Sequence, residues 1–227
     1  MENIAINIIK LRETLNSKLI DSGWHKMLSP FVNGLSFDLI IQTLEKNVNE
    51  GRRFTPRFKD VFNAFYECPY DKLKVVVVGQ DPYPQLGVAD GIAFSCSRKG
   101  KAEKSLQYIN KAIGTDYTDL RCWSNQGVLL INTAMTVEVN KIGSHYGMWK
   151  PFTEYLFDNI NRHNSDVVFI LMGKKAEEWQ TLIPNCKKLK VSHPASAAYR
   201  GGLWDSKDVF NETNSILEKQ GKSCVDW

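Results

Sequence analysis

Four short apolar runs punctuate the chain: Leu73 to Val78, Val128 to Ile131, Val167 to Met172 and Leu189 to Val191. Val75 to Val78 is an unbroken β-branched run, the composition of a buried strand. Between the runs the apolar positions change to a period near 3.6. Phe37, Ile40, Ile41, Leu44 and Val48 predict a helix with Ser36 at its N-cap. Leu106, Ile109 and Ile113 predict another. Phe152, Tyr155, Leu156 and Ile160 predict a third, with Pro151 in its first turn. Val209, Phe210, Thr213, Ile216 and Leu217 predict a C-terminal helix capped by Asp205 or Ser206. Strands alternating with helices imply an α/β protein, with a mostly parallel sheet covered on both faces.

The residues that follow each predicted strand carry the chemistry. The first runs into Gly79-Gln80-Asp81-Pro82-Tyr83-Pro84, where the glycine allows a tight exit and two prolines stiffen the turn. The second runs into Asn132-Thr133, the third into Gly173-Lys174-Lys175, and the fourth into Ser192-His193-Pro194. In a parallel sheet all four loops emerge at one end, where open α/β proteins place ligands. An acid, an amide, a basic turn and a histidine therefore converge. An isolated Asp-Pro is more often a turn former, and an isolated histidine more often structural. Strand-end placement and the flanking prolines favour function for Asp81 and His193. His25, His145 and His163 keep the structural reading, with His145 a further candidate for lining the site. Asn132 has the donor and acceptor needed to read a base edge, although it could equally cap a turn. The basic stretch Arg98 to Lys104 is either a solvated loop or a phosphate contact.

Composition narrows the class. With 227 residues, 43% hydrophobic and 11% aromatic, the chain can build a core. No apolar stretch approaches the roughly 20 residues of a membrane helix, and residues 1–10 do not pattern as a secretory signal. The five cysteines are odd in number and widely spaced, which predicts free thiols in a reducing compartment and no zinc ribbon. A net charge of +4 permits a polyanionic partner. Neither the dinucleotide glycine fingerprint, the phosphate loop, the nucleophile elbow nor the zinc deaminase pattern is present.

Several segments together resemble the family 1 uracil-DNA glycosylases. They are Val75 to Pro84, Gly91-Ile92-Ala93-Phe94-Ser95 and Gly127 to Thr133. Further along come Ser144-His145, Trp149, Phe152-Thr153, Ser192-His193-Pro194 and Tyr199-Arg200-Gly201. The resemblance runs from about Trp24 to Trp227. It implies one domain over residues 1–227, with residues 1–23 as an N-terminal helical extension. The implied fold is a central four-stranded, mostly parallel sheet flanked by helices on both faces. The implied reaction flips uracil out of single- or double-stranded DNA and hydrolyses the bond to the sugar, without metal or cofactor. Asp81 would orient water and favour the sugar cation, and His193 would donate to uracil O2. Asn132 would read N3 and O4, Tyr83 would exclude the thymine methyl, Phe94 would stack, and the Gln80 backbone would hold the base. DNA contacts would come from Ser105, Lys174, Ser196, Tyr199 and Arg200, with Arg98, Lys99 and Lys101 in the basic loop. An acidic DNA-mimicking inhibitor protein, a monomeric state and a cytoplasmic or nuclear location are also implied.

This chain departs from the family pattern in four places. Pro84 stands where relatives have histidine. The basic stretch Arg98 to Lys104 replaces a proline-rich loop. Lys174 replaces a serine. Relatives insert a leucine into the duplex after the His-Pro motif; here the segment reads His193-Pro194-Ala195-Ser196-Ala197-Ala198-Tyr199. Leu203 or Trp204 could substitute. Rival readings are a weak or inactive DNA-binding or processivity module on the same fold, a glycosylase for other damaged bases, and a nucleotide-binding α/β protein.

Overall fold

The computed structural model describes residues 8–199 and 202–227. Three helices open the chain: α1 (Ile8–Asp21), α2 (His25–Val32) and α3 (Leu35–Asn49). A short strand β1 (Phe54–Thr55) and helix α4 (Asn63–Glu67) follow. The apolar runs become β2 (Val75–Gly79), β3 (Val128–Asn132), β5 (Val168–Met172) and β6 (Lys187–Val191). Between β2 and β3 lie α5 (Lys104–Ile113) and α6 (Arg121–Ser124). Strand β4 (Val137–Glu138) and helix α7 (Tyr146–His163) connect β3 to β5. Helix α8 (Lys174–Glu177) follows β5, and α9 (Val209–Lys219) closes the fold.

The main sheet has the order β3-β2-β5-β6, and every pairing in it is parallel. Successive side chains on a strand point to opposite faces, so the valine run feeds two cores. Val76, Val78, Leu129, Ile131, Phe169 and Leu171 face the helices α1 to α4 and α7. Val75, Val77, Leu130, Ile170 and Met172 face α5, α6 and α9. Burial on both faces explains why β2 is apolar throughout rather than alternating. The edge strand β6 carries Lys187, Lys188 and Lys190, which discourages pairing with another chain. The opposite edge is covered, since the Ala93 amide donates to the Leu130 carbonyl at 3.1 Å.

The helix caps differ from expectation. Ser36 lies inside α3, which starts after Gly34, because the extended backbone at Gly34 ends the preceding turn. Helix α7 starts at Tyr146, so Pro151 sits in its interior. The hydrogen bond that a proline cannot make is lost there, and packing of Trp149, Phe152 and Leu156 holds the helix instead. Asp208, in a left-handed conformation, precedes α9. Asp205 caps the turn before it by accepting from the Lys207 amide at 3.0 Å, while the Ser206 carbonyl accepts from the Val209 amide.

Candidate active site

The parallel register brings the carboxyl ends of β2, β3, β5 and β6 to one side. A cleft of about 650 Å³ opens there. Gln80, Asp81, Tyr83, Phe94, Ser105, Asn132 and His193 all line it.

Asp81 is half-buried in this cleft. Its Oδ2 accepts from Gln80 Nε2 at 2.7 Å and from the Gly143 amide at 3.0 Å. Its Oδ1 is buried without a hydrogen-bond partner. Burial raises the Asp81 pKa above the usual carboxylate value, and the two donors pull it back. The carboxylate is thus fixed through one oxygen in the cleft wall, and the other is buried there without a partner. Its supports come from the residues just after β3, since Thr133 Oγ1 and the Ala134 amide both donate to the Gln80 carbonyl at 3.0 Å. Thr153 Oγ1 of α7 donates in turn to the Thr133 carbonyl at 2.7 Å. The Gly143 amide is aimed by the small antiparallel sheet of β1 and β4. Val139 N–H donates to Arg53, Asn140 N–H donates to Pro84, and Glu138 N–H donates to Ser144 Oγ.

His193 packs on Gly173. A Cβ at Gly173 would lie 2.9 Å from His193 Cβ, and the left-handed φ of 95° suits glycine there. The Ala195 amide donates to His193 Nδ1 at 3.2 Å, so that nitrogen carries no proton. Burial lowers the imidazole pKa. The ring is therefore neutral with its proton on Nε2, a tautomer assigned from the hydrogen bond.

The aromatic wall depends on one strained residue. Phe94 has φ of 67° and is 7% exposed. A non-glycine residue held there costs on the order of 1–3 kcal/mol, which the surroundings must offset. Asp90 provides much of that support. It is fully buried and accepts from the Ile92 amide, Ser95 Oγ, the Ser97 amide and Ser97 Oγ at 2.7–3.2 Å. Gly91 lets the same loop press onto the Asp60 carbonyl, which a Cβ would approach to 1.8 Å. Tyr83 Oη donates to the Phe94 carbonyl at 2.9 Å, and burial keeps that phenol neutral. The Phe94 and His193 rings lie 5.9 Å apart.

Gly79 plays a different part from the expected tight exit. Its φ is not left-handed; it is small because Asn132 and Phe94 occupy the space a Cβ would need. Nor does His145 line the cleft. It is 4% exposed, with Nδ1 2.9 Å from Thr136 Oγ1, behind the Gly143 loop.

The expected DNA contacts divide. Ser105 is in the cleft wall, and Lys101 and Lys174 are exposed. Arg98 turns toward the molecule, pairing with the buried Asp60 at 2.9 Å and donating to the Ala89 carbonyl, because Asp60 needs cationic partners. Lys99 pairs with Glu103. Ser196 Oγ is buried without a partner. Arg200 and the side chain of Tyr199 lie outside the described residues. Ala197 is 1% exposed and cannot enter a duplex. Trp204 is tied down, with Nε1 donating to the Ser192 carbonyl at 2.8 Å, whereas Leu203 is 68% exposed. Asp90 and Gly143 carry no signal in the sequence that marks them as supports, whereas Thr133 and Thr153 stand in segments that carry the family resemblance. Lys104, within the basic stretch, also reaches the cleft.

Comparison with known proteins agrees on one family. The Uracil DNA glycosylase superfamily profile matches residues 65–218. A uracil-DNA glycosylase of Streptococcus thermophilus is 36% identical over 214 residues, covering 91% of this chain and 98% of that protein. One from Campylobacter jejuni is 34% identical, covering 100% of this chain and 99% of its own. Among solved structures, mimivirus uracil-DNA glycosylase superposes with a TM-score of 0.80 at 25% identity, over 90% of this chain and 85% of that one. The mimivirus Y322L variant in complex with UGI gives a TM-score of 0.81 at 24% identity, over 90% and 87% of the two chains.

Proposed function

The chain belongs to the uracil DNA glycosylase superfamily, whose members are DNA repair enzymes that release uracil from DNA, and from that premise we propose how its own residues divide the reaction. Cleaving the N-glycosidic bond develops positive charge on the sugar and negative charge on the departing uracil. Asp81 serves the first. From the cleft wall its carboxylate holds and orients the attacking water, and its charge favours the cation. His193 serves the second. A neutral ring with the proton on Nε2 donates to the uracil oxygen without itself needing to lose a charge.

Recognition falls to Asn132, Phe94 and Tyr83. Asn132 presents donor and acceptor to the N3 and O4 edge, where cytosine has the opposite pattern. A mismatch would leave buried polar groups unpaired, at about 1–3 kcal/mol each. Phe94 stacks on the base, and Tyr83, locked by its bond to the Phe94 carbonyl, closes the space beside C5. The Gln80 carbonyl is already occupied by Thr133 and Ala134, so the Gln80 side chain on Asp81 is its more important contribution.

The single observation that carries this reading is the carboxylate held in the cleft wall by Gln80 and the Gly143 amide. Uracil release from an oligonucleotide containing one deoxyuridine tests it. Asp81→Asn should lower release by about 100- to 10,000-fold. A variant releasing uracil at the parent rate would exclude the assignment.

Lys101, Lys104 and Lys174, with Ser105, make the backbone contacts in this proposal, while the buried Ser196 hydroxyl does not reach them and Arg98 anchors its loop on Asp60. Binding should accordingly weaken steeply with salt. Leu203 is the side chain free to fill the stack that uracil leaves. Because it lies on a longer segment, single-stranded substrate should be preferred over duplex. Leu203→Ala should lower duplex cleavage and spare single-stranded cleavage; equal losses on both would remove Leu203 from that role. We also infer a monomer at work in the cytoplasm, in keeping with the bacterial uracil-DNA glycosylases to which the chain is similar; among the described residues no helix is long and apolar enough to cross a membrane. An acidic inhibitor protein as partner is supported by the UGI complex of the mimivirus variant.

A further inference from the structure

A groove of about 290 Å³ lies between α1 and the segment from Phe58 to Tyr66. It shares no lining residue with the active-site cleft. Its floor is apolar: Leu11 and Leu15 of α1 meet Phe58, Phe62 and Tyr66. Leu11, Phe58 and Tyr66 are only half-buried, so part of that floor faces water. Its rim is cationic. Lys10, Thr14 and Lys18 follow one another at helical i, i+4 spacing beside the leucines, and Lys59 stands on the other wall. Lys18 and Lys59 are exposed, and Lys18 Nζ lies 4.9 Å from the centroid of the Tyr66 ring.

None of the lining residues is acidic. Asp60, next to Lys59, is 5% exposed and is already paired with Arg57 and Arg98. The groove thus combines an apolar floor with the exposed Lys18 and Lys59, and no acidic side chain among its described lining residues. Surface lysines alone would mean little. Lysines placed around a solvent-facing aromatic floor specify both parts of a ligand.

We propose that this groove docks an acidic segment of a partner protein, with an aromatic or leucine side chain on the floor and carboxylates against Lys18 and Lys59. A helical or extended peptide supplies both features within a few residues. A nucleic-acid backbone would satisfy the lysines and leave the apolar floor uncovered. The proposal is independent of the chemistry in the cleft.

The test is selection of short random peptides on the full chain by display, followed by affinity measurement with labelled winners. Two variants accompany it: Lys18→Glu/Lys59→Glu, which reverses the rim, and Thr14→Trp, which fills the groove and keeps its charge. Both lie outside the cleft and should release uracil at the parent rate, which also reports folding. The expected result is winners that pair Asp or Glu with Phe, Trp or Leu and lose at least about tenfold in affinity on either variant. Winners without acidic residues, binding that survives both variants, or displacement by a uracil-free oligonucleotide would overturn it. So would binding seen only when the chain self-associates.

Discussion

A Cβ built on Gly79 would stand 2.4 Å from Oδ1 of Asn132 and 3.2 Å from Cζ of Phe94. The residue that ends β2 is bare so that the residue ending β3, its direct partner in the sheet, can turn its amide into the cleft. Gly79→Ala should leave the fold intact and push Asn132 and Phe94 off position. A displacement near 1 Å in a recognition group costs about 100-fold in rate. Single-turnover uracil release at saturating enzyme should fall by that order while far-ultraviolet circular dichroism stays unchanged. Wild-type turnover in the variant would show that the two side chains are not confined as described.

Asp81 is expected to trade stability for activity. Burial raises its folded pKa, so the folded protein holds that proton more tightly than the unfolded chain does. Ionising it therefore costs stability, a cost that is absent in acid below both pKa values. The cost grows as pH rises through the folded pKa and persists at neutrality. Asp81→Asn removes the charge while its side-chain oxygen still accepts from Gln80 and Gly143. The variant should melt higher than the parent at neutral pH, and the difference should vanish in acid. Thermal melts across that range check both parts; a variant less stable at neutral pH would contradict the argument.

Gln80 donates to the ionised form of that carboxylate, and such a bond lowers the pKa. Gln80→Leu keeps the bulk and removes the donor. The acid limb of the kcat/KM profile should then move to higher pH, and kcat should fall more than KM rises. An unmoved limb with lower kcat would mean that the side chain acts on the substrate and not on Asp81.

Much of this architecture was legible in the sequence. Buried strands between two helical layers must be apolar on both faces, and Val75 to Val78 says so directly. Strand ends in a parallel sheet share one side, which brought Asp81, Asn132 and His193 together before any contact was known. What the sequence withheld were contacts between segments distant along the chain. The Gly143 amide reaches Asp81 across 62 residues, and nothing in a glycine declares its donor. Asp90 reads as an ordinary acid before a glycine, yet it is fully buried and holds the loop of Phe94. Arg98 reads as a phosphate ligand until the buried carboxylate of Asp60 is seen beside it. The helix starts at Leu35 and Tyr146 were missed because tertiary packing of flanking residues overrode local capping signals.

His145 ties the acid stability of the fold to the same site. It is 4% exposed, and burial lowers its pKa from 6.5 to about 4; nearby Glu138 opposes that shift, while Arg52 and Lys141 add to it. Thr136 Oγ1 accepts from Trp149 Nε1 at 2.7 Å and lies 2.9 Å from His145 Nδ1, and burial holds the ring neutral. As pH falls, the unfolded chain takes up the proton first. The stability that depends on a neutral ring is therefore full above about pH 6.5 and is lost progressively down to about pH 4, by on the order of 3 kcal/mol. His193, also depressed, contributes a slope of the same sign. His145→Asn can still hydrogen-bond Thr136 and does not titrate. Urea unfolding between pH 7 and pH 4 should show the variant less stable than the parent at the upper end, with the gap closing toward the lower. A gap that stays constant would mean that His145 is not the titrating group. Because His145 backs the loop whose Gly143 amide holds Asp81, the parent should also lose uracil release in acid before it unfolds globally. The variant should keep its residual activity to lower pH.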